Sequence, residues 1–151
     1  TGRLDEAIVV FKEMKSNGVD PDIIIYSILI DGFCEEGKLE EAEQLFFNLP
    51  ALGLMPNEKT YTIMIKGACK KGLMSKAVEF LEKMKRNGCS PYSKTYNTII
   101  RGFITKDDVP NALCYRDSMV DDGFKADNGT IKLIMDRFSH CNPDLVEKFI
   151  N

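Results

Sequence analysis

EKTYTIMIKGACKKGLMSKAVEFLEKMKRNGCSPY, residues 58–92, is the stretch on which the fold turns. Its apolar residues Tyr61, Met64, Ile65 and Ala68 recur at i, i+3, i+4 and i+7, which places them on one face of an α-helix. Gly72 follows, a residue suited to the left-handed conformation that closes a helix. A second apolar stripe, Met74, Ala77, Phe80, Leu81 and Met84, then runs to Gly88, and Pro91 blocks continuation into whatever follows. The stretch predicts a helical hairpin, with Gly67 and Ala77 small where two helices must approach closely.

Sliding the sequence along itself by 35 residues brings like residues into register: Tyr26, Tyr61 and Tyr96; Gly32, Gly67 and Gly102; Ala7, Ala42, Ala77 and Ala112; Gly18, Gly53, Gly88 and Gly123; Pro21, Pro56 and Pro91. Several independent columns with one period are the mark of a repeat array. The units are a lone second helix at 1–22, hairpins at 23–57, 58–92 and 93–127, and a divergent pair of capping helices at 128–151, where Asn142-Pro143 reads as an N-cap followed by proline at the first helical position. One such hairpin cannot bury its own stripes, so stability must come from stacking on its neighbours. The expected class is all-α, a superhelical solenoid. Three departures stand out: Asp107 where a helix-closing glycine is expected, Ala126 at a boundary proline position, and Pro50 near the end of a second helix.

The 151 residues carry a formal net charge of −3, which argues against a generic polyanion binder and requires any phosphate contact to draw on local positive charge. Such charge is concentrated at 58–92, with eight basic against three acidic residues, whereas 23–57 has one against six. The five cysteines form no C-x-x-C pair and His140 is the only histidine, so no metal site is expected; an odd cysteine count suits a reducing compartment. No apolar run is long enough to span a membrane, no leader peptide is visible in a chain that starts at Thr1, and no catalytic constellation or cofactor motif is present.

The segments TYNTIIRGF at Thr95–Phe103, YSILIDGFCEEGKLEEAEQLF at Tyr26–Phe46 and GRLDEAIVVFKEMKSNGVDPD at Gly2–Asp22 resemble the pentatricopeptide repeat family. The related tetratricopeptide repeat runs 34 residues with a tryptophan signature, and this chain has no tryptophan. The resemblance implies a non-enzymatic module of a larger plant-type protein of mitochondrion or chloroplast, in the plain class without a zinc deaminase domain, that binds single-stranded RNA one base per repeat. It further implies that a residue near the start of each first helix and the last residue of the repeat read one base together, here Ser27 with Asn57, Thr62 with Tyr92 and Asn97 with Asp127.

An aspartate only accepts hydrogen bonds and suits the ring N–H of uracil or guanine, whereas an asparagine amide also donates to the ring nitrogen of adenine or cytosine. By the family pattern Ser27/Asn57 favours adenine and Asn97/Asp127 uracil, with Thr62/Tyr92 unassigned. Lys59, Lys66 and Lys70, continued by Lys94 and Arg101, form a stripe suited to tracking phosphates, although Asp31 and Glu35 share that stripe in the acidic unit. Plainer readings stand beside these. Asp22, Asn57 and Asp127 precede helices, where such residues are ordinary N-caps; Ser27, Thr62 and Asn97 read equally as exposed helical positions without partners; and charged stripes are usually just solvated. A peptide-gripping scaffold of the tetratricopeptide kind is the alternative function, and self-association through the apolar face of the 1–22 helix is expected.

Overall fold

The computed structural model describes residues 2–150, so Thr1 and Asn151, which bound the first and last predicted segments, lie outside the described residues. Among the described residues there are nine α-helices and no strand, the expected all-α class. They divide into two compact units, residues 1–89 and 90–151.

The first unit holds α1 (Gly2–Ser16), α2 (Ile23–Glu35), α3 (Leu39–Asn48), α4 (Glu58–Lys70) and α5 (Met74–Arg86). Helix α2 packs on α1, α3 and α4, and α4 packs on α5. The stripes read from the sequence are the core: Tyr61, Met64, Ile65 and Ala68 of α4 and Ala77, Leu81 and Met84 of α5 are buried. The Phe46 ring meets Tyr61 edge-on at 5.2 Å and Phe80 at 5.4 Å, joining α3, α4 and α5. Gly67 leaves room for a side chain of α2: a methyl group there would stand 2.5 Å from Cys34 Sγ and 3.0 Å from its Cβ. Burial, reinforced by Asp31, pushes the Cys34 thiol up to about 12, so it behaves as a packing group rather than a nucleophile.

Pro50 acts as the sequence suggests. Helix α3 stops at Asn48 and a 3-10 turn, Pro50–Leu52, carries the chain to Gly53. Asn87, at the end of α5, donates to the Tyr61 hydroxyl at 2.6 Å, whereas the residue equally far beyond Tyr26 is the apolar Leu52, which cannot donate from its side chain.

The second unit holds α6 (Ser93–Thr105), α7 (Val109–Asp121), α8 (Asn128–Phe138) and α9 (Pro143–Ile150), with α6 packed on both α7 and α8, and α8 on α9. Its tyrosine tie is intact, since the Tyr96 hydroxyl donates to Asp122 at the end of α7. Asp107 closes α6 at φ 59°, the left-handed conformation that Gly72 adopts at φ 73° after α4. The same reversal is drawn, with the N–H groups of Asp107 and Asp108 turned back to the carbonyls of Ile104 and Phe103. Asn142 caps α9 by accepting from the Leu145 N–H at 3.1 Å.

Candidate nucleic-acid interface

Helices α2, α4 and α8 begin on a side-chain cap, and in α4 and α8 that cap is one member of an implied base-reading pair. Asp22, Asn57 and Asp127 accept from the backbone N–H groups of Ile25, Thr60 and Thr130 at 3.1, 3.0 and 2.8 Å. The N-cap reading therefore holds for all three. It leaves the functional reading intact, because a cap uses one side-chain atom and these residues have two.

In the first unit the cap connects to Ser27. The Thr60 hydroxyl donates to Asn57 Oδ1 at 2.9 Å, and Ser27 Oγ lies 3.0 Å from that hydroxyl. Since the Thr60 proton is committed to Asn57, Ser27 is the donor of the pair. The Thr60 N–H can only donate, so the Asn57 atom facing it is the oxygen. Among the described residues nothing accepts from the Asn57 amide nitrogen, which remains a donor at the helix start.

In the second unit the pair meets directly: the Asp127 N–H donates to Asn97 Oδ1 at 2.9 Å, and Asn97 Nδ2 donates to the carbonyls of Ser93 at 2.9 Å and Lys125 at 3.3 Å. Asn97 is fully buried. Arg101 completes the site, its Nη1 lying 3.1 Å from Asp127 Oδ1 and 2.9 Å from Thr130 Oγ1. Burial would raise the Asp127 carboxyl, but the Thr130 N–H and hydroxyl and the Arg101 guanidinium outweigh it and hold the group below the usual carboxylate range.

The middle pair is divided between the units. Thr62, in the first, is buried and donates to the Glu58 carbonyl at 2.8 Å. Tyr92, in the second, is half-buried at the start of α6, its N–H donating to the Thr95 hydroxyl at 3.2 Å. The reading of Ser27, Thr62 and Asn97 as exposed positions without partners is thus overturned at all three. Each is the fifth residue of its helix, and Thr62 and Asn97 donate back to the carbonyl four residues earlier.

The five cations of the predicted stripe fare unequally. Lys59 and Lys94 are exposed and make no ion pair among the described residues. Lys66 lies 3.1 Å from Asp31 and 2.7 Å from Glu35, Lys70 lies 3.3 Å from Glu35, and Arg101 is held by Asp127. The acidic stripe of α2 is compensated by its neighbour, and two of the supposed phosphate ligands of α4 are the groups that compensate it.

Two features of the site escaped the sequence reading. Thr60, Thr95 and Thr130, all fully buried, recur at 35 residues and stand third in their helices, so the period itself could have revealed them as cap partners. Ile24 and Ile28 are 63% and 49% exposed on the α2 stripe that carries Asp31 and Glu35. Among the described residues no cluster of potential metal ligands exists, and no helix is long and apolar enough to cross a membrane.

Comparison with known proteins fits this geometry. The PPR repeat family model matches residues 1–35, 21–70 and 64–105, and a second PPR repeat model matches residues 94–124. No curated protein sequence matches the chain. The pentatricopeptide repeat protein PPR10, solved in complex with an 18-nt psaJ RNA element, superposes over 99% of this chain with a TM-score of 0.86 and 26% identity. PPR10 from maize, in a second crystal structure, gives 0.73 and 28% over 95% of the chain. The PPR domain of Arabidopsis thaliana protein-only RNase P 1, solved in complex with tRNA, gives 0.72 and 25% over 98% of the chain and 79% of that domain. The chain spans only 22% of the length of PPR10 in the RNA complex. The matched repeats run through most of its length, and the chain belongs to the pentatricopeptide repeat family.

Proposed function

We propose that this chain binds single-stranded RNA, with Ser27/Asn57 and Asn97/Asp127 each reading one base. The observation that carries the reading is the linkage within the pairs. Residues 30 apart in sequence are joined by hydrogen bonds, through Thr60 in one case and directly in the other, with an Asn57 amide donor at one helix start and the Asp127 carboxylate, shared with Arg101, at the other. A donor suits adenine and an acceptor suits uracil, so the strand read is A, any base, U from 5′ to 3′. Relatives of similar fold were solved with RNA, which supports the same ligand class here. The role is a non-enzymatic one in organellar RNA processing or stability.

The test is fluorescence anisotropy at low salt with a strand carrying A-N-U, the same strand with U-N-A, and a duplex of the first. The reading expects single-strand preference and discrimination that reverses when Asn57→Asp and Asp127→Asn are combined with exchange of Ser27 and Asn97. Equal, salt-insensitive binding to all three nucleic acids would remove it and favour a peptide-gripping scaffold.

A further inference from the structure

Resting on the RNA-binding proposal above, we propose that Asp31 and Glu35 are built-in competitors of RNA phosphate, which hold Lys66 and Lys70 and keep backbone affinity low across α2 and α4. The register of the array makes this arrangement. Positions 31 and 66 belong to one repeat column, as do 35 and 70, so a repeat with acids in these columns is stacked on one with lysines in them. Lys66 bridges both carboxylates, at 3.1 Å to Asp31 and 2.7 Å to Glu35. Lys70 reaches Glu35 twice, at 3.3 Å to the carboxylate and 2.7 Å to its main-chain carbonyl.

The four groups sum to zero charge within a patch smaller than the roughly 8 Å screening length at physiological salt, so an approaching phosphate meets no net field there. The lysines are only partly withdrawn from water, with side-chain exposures of 35% for Lys66 and 50% for Lys70. Exposed pairs of this kind are weak and exchange readily. A phosphate could therefore displace the carboxylates, but two like charges would stay beside it. The hydrogen bond from Lys66, with its charge and that of Lys70, keeps Glu35 ionised well into acid, so the competitor is present throughout the neutral range.

The experiment compares the intact chain with Asp31→Asn/Glu35→Gln and with Glu40→Gln/Glu41→Gln, which changes net charge equally on the exposed start of α3. Binding of an A-N-U single strand is followed by anisotropy across a salt series, and thermal melts check that each variant is folded. The first variant is expected to bind several-fold tighter at low salt, with a log–log salt slope steeper by about 1.4, the value for two added phosphate contacts on a single strand. The control should show neither change, and adding Lys66→Met/Lys70→Met to the first variant should abolish its gain. A gain equal to the control's, or an unchanged slope, overturns the competitor role while leaving RNA binding in place. If the parent chain does not prefer single strands at all, the RNA reading fails and this inference falls with it.

Discussion

The main-chain N–H of Asp127 donates to the side-chain oxygen of Asn97 at 2.9 Å, a bond that spans 30 residues and ties the start of α8 to α6. It makes Asn97 a positioning residue as much as a recognition residue. Both faces of its amide are spent on the protein, so the atoms left open toward a ligand belong to Asp127 and Arg101. In the first unit the roles are more evenly shared, because Ser27 is half-buried and reaches the cap through Thr60.

This difference predicts unequal costs of truncation. Asn97→Ala removes a fully buried side chain with its bonds to the Asp127 N–H and to the Ser93 and Lys125 carbonyls, a loss of about 1–3 kcal/mol. Ser27→Ala removes one hydroxyl at a half-buried site and should cost about 1 kcal/mol or less. Urea unfolding of the two variants checks the order, and a smaller loss for Asn97→Ala would show that water replaces its bonds.

Much of this fold was legible because a repeat writes each structural requirement several times. Tyr61 and Tyr96, or Gly37 and Gly72, identify core and helix ends by recurrence where a single occurrence would be ambiguous. The site was less legible for a physical reason. Asn97 and Thr62 look like surface residues by type, and only the fold shows that both are buried and bonded to main-chain carbonyls. The partnership of Lys66 with Glu35 was also hidden, because a stripe of like charge on one helix says nothing of what the next helix sets against it.

Gly67 tests the close approach of α4 to α2. Its missing methyl would stand 2.5 Å from Cys34 Sγ and 3.0 Å from Cys34 Cβ, and the Cys34 side chain is buried. Gly67→Ala should destabilise by about 1–3 kcal/mol, the usual cost of overpacking. Adding Cys34→Ala, which deletes the nearer atom, should recover part of it. Full additivity of the two losses in denaturant melts would place the strain elsewhere.

Asp107 carries a conformation that the other units assign to glycine. A left-handed backbone costs an L-residue about 1–2 kcal/mol, less for aspartate, and glycine almost nothing. Asp107→Gly forfeits an exposed ion pair to Arg137 at 2.7 Å, worth about 0–1 kcal/mol. The net expectation is a modest gain in stability, read as a raised melting temperature. A drop would mean that the Arg137 contact, which links the end of α6 to the end of α8, outweighs the backbone term.

Acid should reach the reading site through Asp127. Its carboxyl is held below the usual range in the folded chain by Thr130 and Arg101, against the opposing effect of burial. A carboxylate depressed on folding contributes stability that is complete above its unfolded value, about 3.9, and is lost as pH falls through the folded one. Asp127→Asn keeps a side-chain cap for the Thr130 N–H but gives Arg101 no charge to meet. The melting temperature of the parent should therefore exceed that of the variant at neutral pH, and the two curves should converge below about pH 4. Arg101→Met should flatten the same acid limb, since it removes the cation from the other side of the pair. Parallel curves for parent and Asp127→Asn down to the acid end would mean that the carboxylate is no better held in the folded chain than in the unfolded one, and the charge-assisted half of this site would have to be given up.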